Sequence, residues 1–290
     1  MTRGTQARTW RWTRWRRASQ AAIAILYIVL PLLAVAGYYG MPGTLAALKL
    51  GPVDLVEPAA GLSAIVAAGS VGMTLLVGML PVVALALAAG PVFCSWICPW
   101  GACSEWLDAR RHRGRRRVWR GRPWEGIRRL RGGTLGLGAA AAVALGVPVA
   151  AWLSAPRLVT TLPIEMIFLR DVSLVTGGLI AGLLVFELVG PRRLWCRALC
   201  PVGALANYLR TPRTLTVGYR AETCNCPRLA LCHLRCQWGI DPREMGRFDG
   251  CTNCFACVDG CPTGSLSVTT RGPARALGIA PRAGTATPRP

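Results

Sequence analysis

Four stretches of the sequence are continuously apolar over the length needed to cross a lipid bilayer. A hydrocarbon core of ~30 Å takes about 20 helical residues. We predict four spans, at about residues 21–40, 71–93, 134–153 and 172–190. Pro31 and Pro81 fall inside the first two spans, where neighbouring helices can tolerate a kink. The pattern therefore predicts an α-helical membrane protein whose four transmembrane helices form two hairpins.

Polar segments divide the rest of the chain. They predict a basic arm (1–20), a four-helix membrane domain (21–210) that contains a basic loop (109–131), a small cysteine-rich domain (211–270) and a disordered tail (271–290). The tail is rich in Arg, Gly and Pro and has few apolar residues, so it cannot bury a core.

Basic residues set the predicted orientation. The arm and the loop at 109–131 hold most of the arginines behind the net charge of +21, whereas residues 41–70 carry only Lys49 against Asp54 and Glu57. The positive-inside rule then places both termini in the cytoplasm of a bacterial inner-membrane protein. Because the charge flanks apolar spans and does not line one recognition helix, we expect no nucleic-acid partner.

A cleaved signal peptide is the competing interpretation of residues 1–36. Arg16 and Arg17 would form a twin-arginine signal. The apolar stretch is too long for a typical signal peptide, however, and three more spans follow. We therefore favour a retained first span.

The cysteine-rich domain carries a specific metal motif. Cys251, Cys254, Cys257 and Cys261 follow the spacing C-x2-C-x2-C-x3-C-P, which is typical of 4Fe-4S ligation. Zinc is the alternative, but zinc sites usually separate two C-x2-C pairs. The spacing therefore predicts at least one cubane, with these four cysteines as iron ligands.

A second, irregular group of cysteines precedes this motif. Cys224, Cys226, Cys232 and Cys236 bring the number of thiols to eight, enough for two clusters. If the ligands exchange as in two-cluster ferredoxins, Cys236 completes the cluster of Cys251, Cys254 and Cys257, and Cys261 joins the other three. One cluster with a separate zinc or thiol site is the alternative.

Haem is a poor fit to the sequence. The chain has two histidines, His112 and His233, which both lie outside the predicted spans, and it has no C-x-x-C-H motif. The predicted spans therefore lack the two histidines that would be needed to bind an intramembrane haem.

Two Cys-Pro motifs form an internal repeat. "CSWICPWGA" and "CRALCPVGA" lie 102 positions apart, each just after a predicted span. A repeat axis along the membrane normal would bring both motifs to one depth. The thiols would then converge on one redox or metal site, formed by Cys94, Cys98, Cys196 and Cys200.

Two alternatives to this shared site stay open. Each motif could form its own dithiol pair, or the cysteines could be small buried hydrophobic residues. Cys103 has no counterpart in the second motif and is interpreted as a packing residue.

Together, the motifs "CSWICP", "CRALCP" and "CTNCFACVDGCP" resemble those of the NapH/MauN family of membrane-bound ferredoxin-type iron–sulfur proteins. The resemblance covers nearly the whole chain. It implies a quinol-oxidising membrane component of periplasmic nitrate reduction, or a protein of methylamine utilisation. The ending "CPTGSL" and the additional run "CNCPRLALCHLRC" favour a resemblance to the methylamine type over the nitrate type.

The leading hypothesis is therefore an inner-membrane electron-transfer protein. Iron–sulfur clusters would exchange electrons with the Cys-Pro site, with quinone in the bilayer and with a redox partner, such as a second ferredoxin-type subunit or a periplasmic dehydrogenase system. The alternatives are an assembly factor that supplies reductant to a periplasmic dehydrogenase, and a zinc-stabilised scaffold. Asp54, Glu57 and Glu165 are weak candidates to accept quinol protons.

Overall fold

The computed structural model describes residues 11–38, 43–111, 124–190, 193–226, 231–246 and 248–270. The predicted tail at 271–290 lies outside the described residues, as do residues 1–10 of the predicted arm and residues 112–123 of the predicted basic loop.

Two successive units build the helical part of the molecule. The first contains α1 (Arg11–Val35), β1 (Ala47–Leu50), β2 (Val53–Val56), α2 (Pro58–Ala68), α3 (Met73–Ala89), α4 (Val92–Trp96) and α5 (Pro99–Arg111). The second contains α6 (Trp124–Leu145), α7 (Val149–Trp152), α8 (Ala155–Ile164), a π-helical turn (Glu165–Leu169), α9 (Leu174–Val189), a second π-helical turn (Trp195–Leu199) and α10 (Pro201–Tyr208). In both units a proline starts the final helix, where its missing N–H would have no helical partner anyway.

The C-terminal domain is small and is closed by two strands. It contains β3 (Thr216–Tyr219), α11 (Leu231–Arg235), α12 (Ala256–Asp259) and β4 (Leu266–Thr269). β3 pairs antiparallel with β4, so that Thr216 lies opposite Thr269 and the two ends of the domain meet. A buried core that includes Val217, Trp238 and Phe255 lies against the cysteine loops.

The helices α1, α3, α6 and α9 overlap the four predicted spans, with α6 beginning and ending earlier than predicted, but four transmembrane helices are not confirmed. Within the described residues, α1 is the one helix long and apolar enough to cross a membrane by length and composition. α3 has 17 residues and α9 has 16. At ~1.5 Å per residue they cover about 25 Å, less than the ~30 Å of a hydrocarbon core.

The segment 41–70, between the first two predicted spans, folds back against the helices. Its β1–β2 hairpin packs along α3 at Gly78, where a Cβ atom would collide with the carbonyl of Asp54. Leu45 N donates to Thr160 Oγ1 of the second unit at 3.2 Å. Glu57 caps α2 and is 4% exposed. The sequence did not reveal this fold because no apolar run here is long enough to suggest a span.

The predicted basic arm is also partly helical. Its residues 11–20 form the first turns of α1, which packs against the C-terminal domain. Asp259 accepts hydrogen bonds from Thr13 N at 2.7 Å and from Trp12 N at 3.2 Å. A carboxylate at a helix N-terminus satisfies orphan N–H groups and complements the helix dipole. Arg16 is buried in an ion pair with Glu105 of α5.

The two repeated glycines allow α5 and α10 to pack closely on the preceding turns. A Cβ atom on Gly101 would collide with the carbonyl oxygen of Cys94, and one on Gly203 would lie 3.0 Å from that of Cys196. This close approach of the backbones explains why both motifs have a glycine at this position.

We expect Gly101→Ala to destabilise the protein by about 2 kcal/mol, a typical cost of overpacking, and Gly203→Ala to destabilise it less. Thermal unfolding of the purified protein in detergent measures both effects. Gly136→Ala in α6 is the matched control, because a Cβ atom there meets nothing within 4 Å. Equal unfolding temperatures for Gly101→Ala and Gly136→Ala would contradict the packing argument.

Candidate functional site

The loop at 251–257 has a backbone that turns its cysteines inward. Asn253 and Phe255 both adopt left-handed conformations, with φ of 52° and 53°. Cys254 and Cys257 are buried, and the N–H of Ala256 donates to the Cys254 sulfur. Backbone N–H groups directed at cysteine sulfurs are one of the features that tune iron–sulfur clusters.

The structure brings Cys236 to the first three cysteines of the regular motif. Burial, together with the neighbouring thiols of Cys254 and Cys251, raises the pKa of Cys236 to about 12. Burial also raises the pKa of Cys257 well above its usual range, and the neighbouring thiols of Cys254 and Cys236 contribute to this increase. These four thiols are the set that ligand exchange predicts for one cluster.

The remaining four thiols of the domain form a second, more exposed set. Burial raises the pKa of Cys226, and Cys224 and Cys261 contribute as neighbours. Burial raises the pKa of Cys232 to about 11, and Cys261 is again among the neighbouring groups. The N–H of Cys226 donates to the Cys224 sulfur and lowers the pKa of that thiol. Cys261 therefore lies with the irregular run, as ligand exchange requires.

The donor chemistry of these sets fits cubanes. All eight cysteines are free thiols, and they lie on short loops with N–H groups directed at several sulfurs. In the described part of the chain, no group of three or more His, Cys, Asp or Glu side chains is arranged to hold a metal ion. A single zinc ion would draw its thiolates to within about 3.8 Å of one another, since Zn–S bonds are about 2.3 Å. A cubane holds its ligands further apart because each binds a different iron.

The two Cys-Pro motifs meet at one place between the units. Cys94, Cys98, Cys196 and Cys200 line a single small cavity together with Ala155 and Pro156 at the start of α8. A Cβ atom on Gly203 of the second motif would lie 3.7 Å from Cys94 Sγ of the first. The four thiols are thus brought together across the repeat interface.

Helix N-termini surround this thiol set. Gly101 N at the start of α5 donates to Cys98 Sγ at 3.4 Å. The Cys200 sulfur accepts hydrogen bonds from N–H groups at the starts of α10 and α8, those of Gly203, Ala155 and Val202. Because helix N-termini favour negative charge, this surrounding stabilises thiolates or an anionic metal group.

The cavity itself is small. Its volume is about 10 Å³, which is close to the minimum that holds one water molecule. A four-iron cluster does not fit between the thiols in these side-chain positions, so ligation of a cubane would require them to move apart.

An aromatic cluster joins the first Cys-Pro motif to the cysteine loop. The rings of Trp12 and Phe255 lie 5.1 Å apart, and those of Trp96 and Phe255 lie 6.4 Å apart. Trp96 Nε1 donates to the carbonyl of Asn253 at 3.1 Å. These contacts hold the loop of the regular motif against the residues that follow Cys94.

Two arginines after α9 join the second motif to the same domain. Arg197 donates to the carbonyl of Trp238 at 2.7 Å. Arg193 stacks on the Trp238 ring, with its guanidinium carbon 4.2 Å from the ring centre. Arg193 also donates to the Gly101 carbonyl at 3.0 Å and to Gln237 Oε1 at 3.1 Å. The domain is therefore held by both units.

Sequence reasoning missed the residues that connect the parts. Asn253 is fully buried and donates to the carbonyls of Ala89 at 2.8 Å and Leu215 at 2.6 Å. Its position between two cysteines of the regular motif was the feature of the sequence that could have indicated this role. Of the three candidate carboxylates, Glu57 is buried near the thiols of Cys94 and Cys200, whereas Glu165 caps the turn before α9.

A family model described as a 4Fe-4S binding domain matches the chain at residues 71–117 and 174–215. Each matched segment contains one Cys-Pro motif, so the model recognises both halves of the repeat. No solved structure matches the chain.

Curated relatives have related names. The putative electron transport protein YccM of Escherichia coli is 30% identical over 63% of this chain, which spans only about half of YccM, 52%. The methylamine utilization ferredoxin-type protein MauN of Paracoccus denitrificans is 29% identical over 90% of this chain and 80% of its own length. The ferredoxin-type protein NapH of Escherichia coli is 28% identical over 64% of each chain.

These matches confirm the resemblance that the motifs suggested. The family model and the names of the relatives support 4Fe-4S binding and iron–sulfur electron transfer. The chain is similar to the ferredoxin-type proteins of the NapH/MauN family.

Proposed function

We propose that this protein crosses the inner membrane four times and transfers electrons between quinone in the bilayer and a redox partner in contact with its C-terminal domain. One observation carries the proposal: the shared thiol site of the two Cys-Pro motifs lies directly against the cysteine domain. Cys196 and Trp96 both pack on the buried core of that domain. Redox-active groups thus form a continuous series from the helical units to the domain.

Exposed apolar side chains support the membrane placement. They cover the outer faces of α1, α3, α6 and α9, and include Ile28, Leu32, Val77, Leu80, Leu137, Val143, Val185 and Val189. Large exposed apolar surfaces on soluble proteins are rare. In a bilayer these faces would contact lipid, and the shorter helices would be accommodated by local thinning.

Both termini would lie in the cytoplasm. The hydrogen bonds from Trp12 and Thr13 to Asp259 support this, because they hold the start of α1 against the C-terminal domain. The first turns of α1 and the end of α5 carry arginines, as the positive-inside rule requires for the cytoplasmic face.

Two clusters would occupy the domain. When bound, each supplies one-electron chemistry. The set of Cys236, Cys251, Cys254 and Cys257 lies nearer the helical units, because Arg16 of α1 and Arg197 beside Cys196 are among the charged neighbours of its thiols. The set of Cys224, Cys226, Cys232 and Cys261 is more exposed and would face the partner.

The pathway is proposed from the relatives. MauN aligns with a larger share of its own length than NapH, 80% against 64%. Together with the additional cysteine run, this favours a role in methylamine utilisation over nitrate reduction. A maturation factor that supplies reductant without steady turnover would have the same clusters, and only electron flux from quinol separates the two functions.

Reporter fusions test the topology. We expect alkaline phosphatase to be active when it is fused after Ser70 or Asp171, and green fluorescent protein to be fluorescent when it is fused after residue 120 or 215, because the basic segments stay in the cytoplasm. A fluorescent fusion after Ser70 would overturn the orientation.

Iron content tests the clusters. Anaerobically purified protein should contain about eight irons per chain from two cubanes. Cys254→Ala should lower this to about four and destabilise the domain, because cluster binding contributes to folding. Cys103→Ala is the control and should leave the iron content unchanged. About twelve irons would show a third cluster at the Cys-Pro thiols, and about four would refute the two-cluster proposal.

Quinol-dependent reduction tests the thiol site. We expect the double variant Cys98→Ala, Cys200→Ala to lose reduction of the clusters by duroquinol while dithionite still reduces them, because only the first route passes the thiols. Electron paramagnetic resonance measures both. Cys103→Ala is the matched control and should behave like the unaltered protein. Full quinol-dependent reduction in the double variant would refute the redox role of the thiols and would show that the motif only ends helices.

A further inference from the structure

A larger cavity lies beside the thiol site, between the first unit and α10. Its volume is about 250 Å³. The walls are almost wholly aliphatic and come from α1, the β1–β2 hairpin, α3 and α10. Leu85 of α3 lines the cavity and is 41% exposed on the outer apolar surface. The cavity is therefore reached from the surface that the proposed function places in lipid.

Two polar groups interrupt these apolar walls. The Tyr27 side chain of α1 is 4% exposed, and its hydroxyl has no hydrogen-bond partner among the described residues. Glu57 lines the same cavity and forms no ion pair in the described part of the chain. A buried hydroxyl without a partner is costly, and native structures usually explain such a group by a ligand, a water molecule or a function.

Glu57 has acceptor capacity left for a ligand. Its two carboxylate oxygens accept from Ala59 N at 2.7 Å and from Ala60 N at 3.3 Å. An ionised carboxylate offers about four lone-pair sites. The remaining sites can accept a hydrogen bond from a hydroxyl group inside the cavity.

The cavity lies next to the small cavity of the four thiols. Phe93 and Val202 line both this cavity and the small cavity of the four thiols. Glu57 itself is close enough to influence the thiols of Cys94 and Cys200. A ligand ring in the larger cavity would lie next to the thiols, separated from them only by these side chains.

We infer that this cavity binds the head group of a quinone, with the Tyr27 hydroxyl donating a hydrogen bond to a ring oxygen and the Glu57 carboxylate accepting one from a quinol hydroxyl. A quinone is an apolar ring with two polar oxygens, which matches apolar walls that carry two polar groups. The volume lies just below the range of about 300–1,000 Å³ usual for small-molecule sites. It suits one substituted ring, whose isoprenoid tail would leave towards the lipid at Leu85.

A lipid acyl chain is the other apolar occupant that could enter from the membrane. It has no oxygen at the position of the ring substituents and would leave the Tyr27 hydroxyl unpaired. The two polar groups therefore favour the quinone. This inference rests on the proposed exchange of electrons with quinone.

Binding of decylubiquinone to the intact protein in detergent tests the site. Quenching of tryptophan fluorescence gives the dissociation constant without any turnover. We expect Tyr27→Phe to raise this constant roughly fivefold, the effect of one hydrogen bond. Ala86→Leu should raise it more than tenfold, because Ala86 lines the cavity and a larger side chain would fill it. Glu57→Gln should weaken binding of the reduced decylubiquinol more than that of the quinone.

Matched controls lie outside the cavity. Tyr208→Phe removes a hydroxyl that donates to the Arg128 carbonyl, Ala140→Leu enlarges an exposed residue of α6, and Glu165→Gln neutralises a carboxylate near α9. All three should bind decylubiquinone with the affinity of the unaltered protein. Iron content and thermal unfolding of each variant show whether it has folded.

The outcomes separate this site from the proposed function. If folded Tyr27→Phe and Ala86→Leu variants bind decylubiquinone as tightly as the unaltered protein, or if the unaltered protein binds only lipid there, the site is refuted. In that case duroquinol would still reduce the clusters of the unaltered protein if the proposed function holds. Absence of that reduction would refute the proposed function itself.

Discussion

The arrangement of this molecule depends on the burial of Asn253 between the cysteine loop and the end of α3. Its side-chain nitrogen donates to the carbonyls of Ala89 and Leu215, and its side-chain oxygen Oδ1 accepts from the Arg210 guanidinium at 2.7 Å. Replacing one partner of such a network leaves the others unsatisfied, at about 1–3 kcal/mol each. Asn also tolerates the left-handed backbone that this position requires. One side chain thus fixes both the shape of the loop and its position on the helices.

This docking fixes the C-terminal domain relative to the Cys-Pro motifs. A domain tethered only by the linker after α10 would move relative to the helical units, whereas this domain is held by α1, by Trp96 and by Arg197. All three contacts lie next to a cysteine motif. The interface is therefore built around the cysteines, and mobility of the domain would separate the two groups of thiols. Its polar contacts, the hydrogen bonds of Arg193 and Arg197, are largely buried, which limits their competition with water.

Sequence reasoning is most informative where a local pattern carries the chemistry. The spacing of Cys251, Cys254 and Cys257 predicted a loop that turns cysteines inward, and the offset of 102 between the Cys-Pro motifs predicted their approach. It failed where the structure depends on contacts between distant segments. The hairpin at 47–56 is too short to stand out as a buried element, and the first turns of α1 look like a solvated basic arm because Arg16 finds its partner, Glu105, 89 positions away.

The span lengths show the same limit. Hydropathy identified the apolar stretches, but it could not show that α3 and α9 stop short of their predicted ends. Gly90 ends α3 with a φ of 69°, a conformation that favours glycine, and the chain then turns into α4. The helix α3 does not continue past Gly90. Because the chain turns there, the cysteines of the first motif lie close to the thiols of the second.

The repeat is symmetric in its scaffold and asymmetric in its chemistry. Both units return a short helix towards the thiols, α2 in the first and α8 in the second. At the start of α8, Ala155 N donates to the Cys200 sulfur, so that this helix end serves the thiol site. At the start of α2, the corresponding N–H groups donate to Glu57, so that this end holds a carboxylate beside the cavity. One copy of the duplicated unit thus directs the donors of its helix start at a thiol, while the other directs them at a carboxylate beside the larger cavity. The same element of the scaffold therefore stabilises different groups in the two units, which a fully symmetric pair would not do.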